Sequence, residues 1–178
     1  MQWLAVFVRG AESVNEWVGR AVSWLALGAV LACFAAVYLR YALNINYAWL
    51  QESYVWQHAM VIVLGAGFTM MKGGFVRVDI FYGKMSPRRR ALVDLFGTLL
   101  LLAPFLFVLW TAFFPFVQRA WAVDEGSPNS GGLPNWWFLQ GTLLAMVMLV
   151  ALQGAVLIAR SLLVLGGREE FSPTSSAI

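Results

Sequence analysis

Four long apolar runs, separated by short polar stretches, set the pattern of this chain. They cover about 21–39, 53–71, 92–117 and 135–159. A nineteen-residue helix rises about 1.5 Å per residue and reaches roughly 28 Å, close to the thickness of a bilayer's hydrocarbon core. The pattern therefore predicts an all-α integral membrane fold: four transmembrane helices in a single membrane domain, 1–178. The first run carries no charged residue, and Gly28, Ala32 and Ala36 repeat along it at i, i+4, i+8. Such a stripe lets a neighbouring helix approach closely. Gly65, Ala66 and Gly67 smooth the far half of the second run. Pro104 and Pro115 interrupt the third. Proline removes a helix hydrogen bond, so a kink is predicted near Pro104. Trp136, Trp137 and Phe138 stand at the entrance to the fourth run, as an aromatic belt does.

The flanking segments have their own patterns. In residues 1–20, Trp3, Leu4, Phe7, Val14, Trp17 and Val18 recur at roughly helical spacing, while Arg9, Glu12, Glu16 and Arg20 fall elsewhere. This predicts an N-terminal amphipathic helix lying in the interface. Asn44, Asn46 and Tyr47 form the turn between the first two runs. Residues 72–94 make a basic loop, and Ser86-Pro87 gives it a helix-start signal. Residues 118–135 form a polar loop with Asp124 and Glu125, and the tail, 160–178, is expected to be disordered near Ser172–Ala177.

Composition agrees with the membrane reading. Hydrophobic residues make up 61% of the chain and charged residues 12%, with mean hydropathy +0.72. Soluble domains hold about 25% charged residues. The net charge of +3 does not point to nucleic acid, because the cations flank apolar runs and no zinc-finger or RNP pattern is present. Their distribution instead sets orientation. The segments before the first run, between the second and third, and after the fourth hold Arg9, Arg20, Lys72, Arg77, Lys84, Arg88, Arg89, Arg90, Arg160 and Arg168. The other two loops hold only Arg40 and Arg119. The positive-inside rule then places both termini and the basic loop in the cytoplasm. The single cysteine, Cys33, sits inside the first run. It is expected to be a small helix residue in a retained span, not a metal ligand or a processing site.

Candidates for chemistry are few. Glu52 stands at the outer mouth of the second span and Asp94 at the inner edge of the third. A Glu52–Arg40 pair tying the first two spans together is one expectation; contact of Glu52 with a partner protein is the other. His58 lies about 9 Å deeper than Glu52 along the helix. No second histidine exists to complete a haem site, and the expected role for His58 is a hydrogen bond to another helix. Asp79 lies between Arg77 and Lys84 as a locally paired charge, and Arg88, Arg89 and Arg90 act as topology determinants. Trp49 and Trp56 join Arg40, Glu52, His58, Arg77 and Asp79 as structural or partner-contact candidates. No catalytic, cofactor or metal motif is recognised, so an enzyme is not expected. An autonomous four-helix carrier acting as a homo-oligomer is the alternative reading, although it calls for a carboxylate deep in a span.

Several motifs carry a family resemblance. Trp49-Leu50-Gln51-Glu52-Ser53 enters the second span, and Val76-Arg77-Val78-Asp79-Ile80-Phe81-Tyr82 follows it. Met85-Ser86-Pro87-Arg88-Arg89-Arg90 and Gly131-Gly132-Leu133-Pro134 complete the set. In order and spacing these resemble the small membrane subunit (DctQ-like) of TRAP transporters, the tripartite ATP-independent periplasmic carriers. Phe75 departs from the pattern at a position where a polar residue is common. The resemblance implies a multi-pass subunit of the bacterial inner membrane. Its partners would be a large membrane subunit and a periplasmic substrate-binding protein. Its role would be a scaffold in sodium-driven uptake of small organic anions, mostly carboxylates. It implies no cofactor.

Overall fold

The computed structural model describes residues 2–75, 82–168 and 171. Their regular elements are helical, with no strand among them. α1 spans Gln2–Ala42, α2 Ala48–Met71, α3 Pro87–Gly97, α4 Ala103–Ala122 and α5 Trp136–Leu165. A π-helical turn, Thr98–Leu102, joins α3 to α4, so 87–122 crosses as one unit. Four helical units are thus long and apolar enough to span a membrane.

Two expectations about boundaries change. The amphipathic segment and the first span are one unbroken helix, because no Gly-Pro or turn sequence separates Arg20 from Ala21. The apolar stripe keeps Trp3, Phe7, Val14 and Trp17 exposed, while another side of the segment packs inward. Val8 and Ala11 meet Val156 and Ala159 of α5, with Leu4 and Leu152 packed against them. At forty-one residues α1 is about 60 Å long, roughly twice the hydrocarbon core. It must tilt or project. α5 likewise runs past the predicted limit of 159 to Leu165, where Val164 and Leu163 are buried. Residues 160–165 therefore belong to the helix and not to the tail.

Helix ends follow from local chemistry. Gly73 and Gly167 adopt left-handed backbone with φ +70° and +93°. Gly74 N–H donates to the Thr69 carbonyl and Arg168 N–H to that of Leu163, closing α2 and α5 with Schellman motifs. Asp124, φ 48°, plays the same part after α4. Asn44, φ 57°, ends α1 in the predicted turn. Ser86 precedes α3 with Pro87 at its first turn, as predicted, although the Ser86 side chain makes no cap hydrogen bond. Near Pro104, where a kink is expected, the chain forms the π turn. Pro104 would clash with the carbonyl four residues back, at Leu100, and the wider turn there relieves it.

α5 is the hub, in contact with α1, α2, α3 and α4, and α1 also lies along α2. Gly154 of α5 receives Leu102, and Gly19 of α1 lies against the Phe68 ring. At the three-helix junction, Asn15 Nδ2 donates to Gln153 Oε1 at 3.0 Å. Gly67 leaves room for Asn15; a methyl group there would stand 2.5 Å from Asn15 Oδ1 and 3.1 Å from the Leu149 carbonyl. In the predicted small-residue stripe, Gly28 faces the Gln57 side chain of α2.

Candidate functional site

The polar chemistry gathers at the two ends of the bundle. At one end, Glu52 lies in the first turns of α2 and is only 7% exposed. A charge buried that far must be matched by donors. All of the donors found come from the loop between α4 and α5. Asn129 Nδ2 donates to Oε1 at 2.8 Å, the Leu133 backbone N–H donates to Oε2 at 2.6 Å, and the Ser127 hydroxyl also donates to Oε1.

The loop is shaped to present these donors. Gly131 turns it with φ +75°. Gly132 must lack a side chain, because a Cβ there would sit 2.5 and 2.6 Å from the two carboxylate oxygens. Ser127 N–H bonds the Leu133 carbonyl at 3.3 Å, and Asn129 N–H bonds Ser127 Oγ at 3.0 Å. The segment's acids face the start of α5. Asp124 Oδ1 accepts from Trp137 Nε1 at 2.9 Å, and Glu125 Oε2 accepts from Gln140 Nε2 at 3.1 Å. Trp121 and Trp137 pack with ring centroids 4.2 Å apart. Trp56, 9% exposed, meets Trp136 edge-on at 5.6 Å.

The expected Glu52–Arg40 pair is not formed. Arg40 is exposed and makes no ion pair among the described residues. The physical reason is that the loop donors already enclose both carboxylate oxygens. Nothing in the isolated motif Trp49–Ser53 announced those donors. The one usable signal was the small, polar stretch Ser127–Gly132, the composition of a loop that folds around something. Trp49 is 47% exposed and leans on Tyr47, with ring centroids 5.8 Å apart.

His58 also departs from expectation. It is exposed and makes no hydrogen bond to another helix among the described residues. It lies on the side of α2 turned away from α1 and α5, where no helix among the described residues packs.

The opposite end holds the ion pairs. Glu16 on α1 accepts from Lys72 at 2.7 Å and from Arg20 at 2.9 Å, and Glu12 pairs with Arg160 of α5 at 2.5 Å. Glu12, Glu16, Lys72 and Arg160, with Arg9, Ser13 and Met71, line an open cleft of about 320 Å³. Arg88 and Arg89 are exposed at the start of α3. Arg90 folds back, donating to the carbonyls of Tyr82 and Gly83 at 3.1 and 2.6 Å, and Tyr82 donates its hydroxyl to Asp94 at 2.7 Å. Arg77 and Asp79 lie outside the described residues.

The bundle thus gathers most of its charged groups at its two ends, with Gln57 and His58 between them on α2. That arrangement suits a structural membrane component. The chain is 26% identical over 130 residues to the C4-dicarboxylate TRAP transporter small permease protein DctQ of Vibrio cholerae, covering 71% of this chain and 55% of that protein. It therefore spans about half the length of this curated relative. No solved structure matches it. The family model for the DctQ component of tripartite ATP-independent periplasmic transporters matches residues 12–164, and the chain belongs to that family.

Proposed function

We propose that the chain is a non-catalytic scaffold subunit. It supports a large membrane subunit in sodium-coupled uptake of a small organic anion, which a periplasmic binding protein delivers. The observation that carries this reading is the use made of Glu52. It is the buried carboxylate among the described residues, and its oxygens are taken up by the chain's own loop. The four-helix carrier calls for a carboxylate deep in a span and free to meet substrate or ion. The same observation disfavours the autonomous four-helix carrier. The C4-dicarboxylate named for the relative supports a carboxylate as the substrate class. The balance of cations supports cytoplasmic termini in a bacterial inner membrane, which puts the Glu52-clamped loop on the periplasmic side.

The test is uptake of labelled C4-dicarboxylate into vesicles that contain the large subunit and the binding protein, with and without this chain. Uptake is expected to require all three. Full-rate uptake without this chain would sink the scaffold role. Uptake by this chain alone would favour the carrier.

A further inference from the structure

Among the described residues, no other helix packs on one side of α2. Glu52, Trp56 and Gly67 face the interior of the bundle, and Gln57 and Phe68 meet α1. At 100° per residue, Gln51, Val55, His58, Ile62 and Gly65 share a separate arc of roughly 80°. Val55 is 51% exposed and Ile62 62%, His58 is exposed, and a Cβ on Gly65 would meet nothing within 4 Å. His58 lies ten residues from Ala48 and thirteen from Met71, hence about 15 and 20 Å from the two helix ends. Measured from Glu52 at the outer mouth, His58 is about 9 Å deep, inside a hydrocarbon core about 30 Å thick. Both ring nitrogens of an imidazole need hydrogen-bond partners, and lipid tails offer none.

Building on the scaffold reading, we infer that this arc seats a transmembrane helix of the transporter's other membrane component, which supplies a polar group to His58. Only a membrane-spanning partner can reach that depth. A soluble binding protein cannot. Gly65 leaves a notch two turns from His58, and small residues of this kind let two helix backbones approach. The family description makes the chain one component of a tripartite assembly, so a membrane partner has precedence over a second copy of this chain.

The experiment places a photoreactive benzoylphenylalanine at Val55 or Ile62 in the complete transporter in its membrane, with Val30 on α1 and Phe107 on α4 as controls. Both controls are exposed, at 65% and 69%. Adducts to the large subunit are expected from Val55 and Ile62, and several-fold fewer from the controls. If the large subunit co-purifies but Val55 and Ile62 give only lipid adducts or self-adducts, this face is wrong while the scaffold reading stands. If no membrane component co-purifies at all, the scaffold reading fails and this inference fails with it. His58→Phe is expected to reduce the co-purified large subunit about three- to tenfold, as loss of one interhelical hydrogen bond does. His58→Gln, which keeps a donor and an acceptor, should retain it. Equal recovery with Phe and Gln would remove His58 from the contact.

Discussion

Glu52 binds the loop with a charge that water does not reach. Hydrogen bonds to a charged group contribute about 1.5–3 kcal/mol each, and a donor left bare in a buried site is costly. Glu52→Ala should destabilise the chain by about 3 kcal/mol and expose 123–135 to protease, seen as faster cleavage there. Glu52→Gln should cost less, since its oxygen still accepts from Ser127 and Asn129 while its amide faces the Leu133 N–H. Arg40 gives the contrast. Arg40→Glu should leave thermal stability within about 0.5 kcal/mol of the wild type, and it should fail to rescue Glu52→Arg. Rescue would restore the ion pair that the loop donors displace here. The importance of Glu52 could be read from the sequence, since a carboxylate at the mouth of an apolar run stands out. Its partners could not, because they lie more than seventy residues away and one of them is a backbone N–H.

Among elements, α2 separates two kinds of glycine. Gly67 faces Asn15 and Leu149, whereas Gly65 faces open space. Gly67→Ala should cost about 1–3 kcal/mol by overpacking, measured as a lower Tm of the purified chain in detergent. Gly65→Ala should be neutral or slightly stabilising, since alanine is the better helix former by up to about 1 kcal/mol. The sequence presented both as one smooth patch. Their difference depends on which way each faces, and that is settled only when Asn15 meets Gln153 across the bundle. The existence and order of the four crossings were legible from apolar length alone. The junction of the first twenty residues with the first span was not. The stripe of Trp3, Phe7, Val14 and Trp17 does stay exposed, but the small residues beside it, Val8 and Ala11, gave no sign that Val156 and Ala159 of α5 would pack on them.

In the whole molecule, α5 touches each of the other crossings, while 87–122 contacts neither α1 nor α2 extensively. Damage to α5 should therefore propagate. Gln153→Leu would strand Asn15, which is 1% exposed, and should lower Tm more than a substitution on the outward side of α4 such as Phe107→Leu. Thermal unfolding of the two variants in the same detergent checks the ranking. The clamp at Glu52 also has a consequence in time. Its donors follow it by 75 to 81 residues. A chain made at about 5–20 residues per second exposes the carboxylate roughly 4–16 s before Leu133 exists. Through that interval Glu52 has no protein partner, and it gains one only after α3 and α4 have crossed and the chain has returned to the same face. The loop before α5 is thus what clamps the start of α2. A chain that inserts with a crossing missing would carry Glu52 on one side of the membrane and its donors on the other, an error that a quality-control protease could detect at an open, unclamped loop.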